Sequence, residues 1–222
     1  LPADITVIYP GLFARLKIIL YLCRKRMPTQ PDNISQEENA PATKGELRYH
    51  EALDPFRDTV GKYYFETTAD VYRTVSSIPP VEEDFIPQKY RRKIEGIAEE
   101  VITYTPEEIA ELDEEDKRDE VGHNALSVHK TASKSIKAAK RSYANVRGRF
   151  SPERAEQYKK ERGKYVVRLR ITPENGLLSK FHSGTGHANL LLRQNVNPLK
   201  LVDPDFEPLL IDYDENRHDS PE

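Results

Sequence analysis

The stretch from Val128 to Ile171 gathers the basic charge, two well-punctuated helical patterns and the clearest strand pattern of the chain into 44 consecutive residues. Val128, Ala132, Ile136, Ala139, Tyr143 and Val146 recur at steps of three and four, which lays them along one helix face. Lys130, Lys134, Lys137 and Arg141 make a second stripe at the same spacing. The pattern predicts a helix from about Ala125 to Arg147, with Asn124 or Ser127 as cap and Gly148 as stop. A second start follows at once, because Ser151 can cap and Pro152 suits the first helical position, where no amide hydrogen is needed; Gly163 ends that helix. In KYVVRLRIT, from Lys164, Val167, Leu169 and Ile171 alternate with Arg168 and Arg170 as a half-buried strand requires.

The same stretch is strongly basic. Lys130 to Arg170 carries 14 Lys or Arg against Glu153, Glu156 and Glu161, a balance of +11 in a chain whose net charge is −3. A basic surface attracts polyanions, and each phosphate it neutralises releases condensed counterions. The expected function is therefore a non-enzymatic accessory protein that binds nucleic acid, or another polyanion, with little sequence specificity. Its phosphate contacts would come from Lys130, Lys134, Lys137, Arg141, Arg147, Arg149, Lys159, Lys160, Arg168 and Arg170. Tyr143, Phe150, Tyr158 and Tyr165 interleave with these charges, as stacking platforms for bases would, although Tyr143 lies on the apolar stripe and Tyr165 begins a strand. Glu95 to Glu120 opposes the basic block with 12 acidic residues against Lys117 and Arg118. The acidic helix would either mask the basic one or extend a charge-patterned surface. The alternative function is accordingly a protein-interaction or structural protein whose acidic and basic segments pair, including by self-association. Masking would need an apolar seam, which Ile97, Val101, Ile109 and Leu112 can supply.

At 222 residues the chain suits one domain or two small ones. Its only Met is Met27 and its only Cys is Cys23, so residues 1–26 are expected to be untranslated or removed in processing, and Met27 to Lys44 reads as a flexible segment poor in large apolar residues. The apolar run Leu12 to Cys23 holds Arg15 and Lys17 and falls short of the ~20 residues a membrane span needs, so no membrane attachment is expected. With Cys23 discounted no disulfide or thiolate site remains, which points to the cytoplasm. Asp54 and Pro55 open a pattern through Phe56, Val60, Val71, Val75 and Ile78 that reads as helix, or as two strands. Ser76 to Asp84 breaks it with paired prolines. A helix from about Gln88 to Thr103 and a capping box at Thr105, Pro106 and Glu108 follow. Thr172 to Gly176 is a turn, and HANLLLR from His187 and EPLLIDY from Glu207 are strand patterns. The fold class expected is α+β: a leader over 1–44, a helical region over 45–163 with a break at 76–84, a small sheet of about three strands over 164–213, and a frayed tail over 214–222.

No catalytic or cofactor motif has enough matching positions to stand alone: there is no Gly-x-Ser-x-Gly elbow, no phosphate-cradling Gly-x-x-x-x-Gly-Lys and no His-Glu-x-x-His, and no cofactor is expected. Phe181 to Leu192 is the one segment with the look of a site, with His182 and His187 flanking Gly184 and Gly186 before an apolar strand. GTGHANLLL, residues 184–192, resembles the His-hydrophobic-His strand of rolling-circle replication and plasmid-mobilisation nucleases. That resemblance implies a divalent metal at His187 and at the second position, here Asn189, and a tyrosine nucleophile, for which Tyr213 alone follows. His182, Gly184 and Thr185 also resemble the His-Gly-Ser/Thr start of ADP-ribosyltransferases, with Ser183 inserted. The second alternative is thus a metal-dependent phosphodiester or nucleotidyl enzyme around His182 and His187. Read on their own chemistry, the same residues make a Gly-rich turn with surface histidines and hold no metal. His123 and His129, six residues apart, do not share a helix face.

Overall fold

Val71 and Val75 lie four residues apart, a spacing that serves one helix turn or two pleats of a strand equally well. In the computed structural model they belong to a strand. The structure describes residues 45–87, 89–90 and 104–214, all within one compact unit, Ala42–Glu222. In chain order these residues form α1 (His50–Leu53), α2 (Arg57–Tyr63), β1 (Tyr64–Phe65), β2 (Ala69–Val75), α3 (Pro106–Glu111), α4 (Glu114–His123), β3 (Leu126–His129), α5 (Ala132–Arg147), α6 (Pro152–Arg162), β4 (Tyr165–Ile171), β5 (Gly176–Ser179), β6 (His187–Leu192) and β7 (Leu209–Leu210). Short 3-10 turns lie at Asp54–Phe56, Glu82–Phe85 and Pro198–Leu201. The seven strands make one antiparallel sheet in the order β1-β5-β6-β3-β2-β4-β7.

One face of this sheet is continuously apolar. The register sets Val71 against Leu169, Ala69 against Ile171 and Val128 against Ala188. Val71, Val75, Val128, Val167, Leu169, Ile171 and Leu190 are each at most 1% exposed, and Phe85 and Leu201 from the 3-10 turns close over them. Burial of each such side chain contributes roughly 1.5–3 kcal/mol.

The opposite face carries two separate helical groups. Leu53 and Phe56, Val60 of α2 and Val121 of α4 pack with Tyr64 and Leu191 over the β1-β5-β6 side. Ala139 and Ile136 of α5 pack with Tyr72 and Val166 over β2 and β4, with Ile211. Between the two groups lies the middle of the sheet, where Ser127 and His129 of β3 and His187 and Asn189 of β6 make a polar patch on this face.

Several expected elements are present. Ser151 caps α6, its hydroxyl accepting from the Arg154 amide, and Gly148 and Gly163 follow α5 and α6. The Thr105–Glu108 capping box opens α3, and Asn175 closes the turn after β4 on Thr172. The expected fold class, a helical region followed by a small sheet of about three strands, is overturned: residues 45–163 supply β1, β2 and β3, and the sheet has seven strands. The helix expected from Ala125 starts only at Ala132, capped by Thr131 rather than by Asn124 or Ser127, and Leu126–His129 is the central strand. The β-branched residues of β2 and the central position of β3 outweigh a helical spacing that Val128 and Ala132 share by coincidence. The leader over 1–44, most of the helix expected over 88–103 and the tail beyond Asp214 lie outside the described residues. Among the described residues no helix is long and apolar enough to cross a membrane.

Candidate functional site

The antiparallel register of β3 and β6 places Ser127 opposite Asn189 and His129 opposite His187. Alternation sends Leu126, Val128, Ala188 and Leu190 into the core, and so turns these four polar side chains to the other face. The two imidazoles meet edge to face, with ring centroids 5.6 Å apart and planes at 62°. The Ser127 hydroxyl lies 2.9 Å from His187 Nε2 and fixes that ring's orientation. A tight turn delivers His187: the Gly186 amide donates to the His182 carbonyl and the His182 amide to the His187 carbonyl, while Gly186 takes φ 63°. The aliphatic chain of Lys134 passes over Gly186, where a Cβ would stand 2.3 Å from its Cδ.

These residues floor a cleft of about 360 Å³ between the two helical groups. β2 and β3 pair only at Tyr72 and His129, and beyond that point Arg73 bridges the gap. Its guanidinium is 7% exposed and donates to the backbone carbonyls of Asp84 and Ser127, both at 2.8 Å. α6 contributes Tyr158, Glu161 and Arg162, and α5 contributes Ser135. Arg162 is set in place by Gly163, whose φ of 100° lets the chain run within contact of Val75, where a Cβ would stand 2.5 Å from the carbonyl oxygen. Ser135 is fully buried, and neither its Oγ nor the buried Nε of Arg162 has a hydrogen-bond partner among the described residues. A desolvated donor left unpaired costs about 1–3 kcal/mol, and both atoms are closed off from solvent in the free protein.

The electrostatics of the cleft favour an anion at its floor. Burial, then the neighbouring His187, Arg162 and Arg73, pushes the His129 imidazole down to about 4. Burial, followed by Arg162 and His182, lowers that of His187. The pair is therefore neutral near pH 7, able to donate one hydrogen bond and accept another. Lys89 adds a cation at the rim, while Asp119 and Glu161 supply carboxylates there. Arrangements of this kind, with desolvated imidazoles beside guanidinium groups, bind and polarise oxyanions.

The ten basic residues singled out by the sequence separate into two groups. The Lys134 side chain lies against Gly186, the residue before His187, and Lys130 donates its backbone amide to the Gly186 carbonyl. Lys130, Lys137, Arg141, Arg147, Arg149 and Lys160 are exposed. The remaining three are engaged by carboxylates of the chain itself. Lys159 pairs with Glu156 and Asp214, Arg168 with Asp203, and Arg170 with Asp203 and Asp205. The aromatic candidates divide in the same way: Phe150 is exposed, Tyr158 lines the cleft, and Tyr143 is buried against Tyr213.

His182 and His187 do not converge. His182 is exposed in the turn, its Nδ1 accepting from the Thr185 amide, whereas His187 faces the cleft. Among the described residues no group of three or more His, Cys, Asp or Glu is arranged to hold a metal ion. Asn189 does share the cleft face with His187, but the second histidine beside it is His129 from the neighbouring strand. His129, Arg73, Arg162, Ser127 and Ser135 are absent from the sequence-based candidates. The available signal was the alternation of Leu126 and Val128 with Ser127 and His129, which only a strand assignment makes visible. No protein-family model, curated protein or solved structure matches the chain.

Proposed function

We propose that the protein binds the phosphodiester backbone of nucleic acid, with one phosphate seated in the cleft over His129 and His187 and the flanking backbone carried along the basic residues of α5. The cleft carries this reading: Arg73, Lys89 and Arg162 bring three cations to a pocket floored by the two neutral imidazoles of His129 and His187. The Lys134 chain at Gly186 joins this pocket to a stripe that continues through Lys137 and Arg141. Phosphate contacts of this type give affinity without a base code.

The test is a titration of the full chain with single- and double-stranded DNA and RNA at several salt concentrations. If six phosphates are neutralised, log affinity for a single strand falls with log salt at a slope of about −4, using ~0.7 per phosphate. The double variant K137E/R141E makes the slope shallower by about 1.4 on the same count. R162M weakens binding roughly tenfold at fixed salt, the size of one charged hydrogen bond. Affinity independent of salt, or untouched by both variants, would overturn the reading.

A further inference from the structure

We propose that this cleft cleaves RNA without a metal ion, His129 and His187 acting as general base and general acid on the phosphodiester seated between the two helical groups. The inference rests on the phosphate-binding reading above and adds a reaction and a substrate class to it. Two imidazoles in edge-to-face contact, 5.6 Å apart by their centroids, line the same cleft. A phosphodiester lying across the pair brings its attacking and leaving oxygens within the ~3 Å that proton transfer requires. Ser127 holds one ring at 2.9 Å, which keeps His187 directed at the cleft.

The donor set decides the substrate. Among the described residues no cluster of three metal ligands exists to activate a water molecule. The chain's only cysteine is Cys23, outside the described residues, so no described thiol serves as nucleophile. The attacking group is the ribose 2′-hydroxyl, adjacent to the scissile phosphate, which RNA has and DNA lacks. One imidazole takes the 2′-hydroxyl proton as the 2′-oxygen bonds to phosphorus. The bond from phosphorus to the 5′-oxygen breaks, and the other imidazole gives its proton to that leaving oxygen. The products are a 2′,3′-cyclic phosphate and a free 5′-hydroxyl, with the proton removed at one end matched by the proton supplied at the other.

The developing negative charge on the non-bridging oxygens falls beside Arg162, which lines the cleft. Seven other titratable or charged positions face the cleft: Arg73, Lys89, Asp119, His123, Tyr158, Glu161 and Arg162. Three are cations and two are carboxylates. His123 is bonded to Glu120, which raises its pKa. Binding of a phosphodiester anion favours the imidazolium at the floor, so one histidine of the pair is protonated in the complex though both are neutral in the free protein.

The test is incubation of the full chain with a pool of short random-sequence single-stranded RNA in excess EDTA, followed by end-group analysis of the fragments. The expected result is fragments ending in 2′,3′-cyclic phosphate and 5′-hydroxyl. The same pool with 2′-O-methyl ribose, and the DNA counterpart, should be bound with affinity within a few fold of RNA and left intact. H129A and H187A should each lower the cleavage rate at saturating RNA by about 100-fold or more, the usual weight of a general acid or base. The end groups made by the unaltered protein, together with the 2′-O-methyl comparison, test the chemistry even where a variant folds poorly. RNA bound but left whole overturns the cleavage proposal and leaves the binding reading standing, whereas no binding of any of these oligonucleotides overturns both. Cleavage that EDTA abolishes, or that yields 5′-phosphate ends, overturns the proposed mechanism.

Discussion

His129 couples the cleft to acid stability. Its imidazole titrates near 4 when folded against 6.5 for an ordinary histidine, for reasons of burial first and then of the neighbouring His187, Arg162 and Arg73. Between those two pH values the unfolded chain binds more protons than the folded one, so stability is complete above about pH 6.5 and declines as the pH falls towards 4. The decline due to this one group is on the order of 3 kcal/mol. His187, lowered for similar reasons, adds to the loss in the same direction. Urea unfolding at pH 7 and pH 4.5 should show H129Q losing less stability on acidification than the unaltered protein. Equal losses in the two would place the titrating group elsewhere. Saturating inorganic phosphate should move the ring-proton titrations of both histidines upward, since an anion in the cleft favours the imidazolium. Titrations that do not move would mean that phosphate does not reach the floor.

β3 shows why the site was hard to read from the chain. Val128 lies four residues before Ala132, and Ala132 four before Ile136, so a strand ending at His129 continues the periodicity of the helix that starts after Thr131. Once Leu126–His129 is absorbed into that helix, His129 becomes a residue on a polar face and its register with His187 disappears. The same ambiguity hid β2, whereas β4 was legible because Val167, Leu169 and Ile171 alternate with arginines over a full strand length. Caps and stops were legible for a different reason: Thr105, Ser151, Pro152 and Gly163 act on the backbone within three or four residues, so no tertiary information is needed. The cleft is the opposite case, since its floor depends on a pairing between strands 60 residues apart. Gly163, read as a stop, also sets the geometry of Arg162 because its backbone abuts the Val75 carbonyl. G163A should therefore lower stability by about 1–3 kcal/mol, through positive φ and the close approach together. The change should appear as a lower denaturant midpoint at unchanged slope. A midpoint within error of the unaltered protein would mean that the turn relaxes freely.

Part of the charge asymmetry that marks the sequence is taken up by pairs made within the chain. Glu114 of the acidic helix α4 pairs with Lys62 at 2.8 Å and Glu120 with Lys89 at 3.7 Å, so these acids turn towards α2 and the segment before α3 rather than towards the basic residues of α5. Ile109 and Leu112, which the sequence offered as a seam for the acidic helix, pack against the cluster formed by Leu53, Phe56, Val60 and Val121. Exposed ion pairs contribute only ~0–1 kcal/mol each, and without an apolar seam they do not hold two copies together. Charge-driven association would weaken as salt shortens the screening length from about 30 Å at 0.01 M to about 3 Å at 1 M. The expected outcome of gel filtration is therefore one elution volume, that of a monomer, at low and at high salt. A larger species at low salt that dissolves at high salt would show the acidic and basic surfaces pairing between molecules. In that event K137E/R141E separates the two uses of the basic stripe, because removing those charges would abolish self-association as well as weaken binding of nucleic acid.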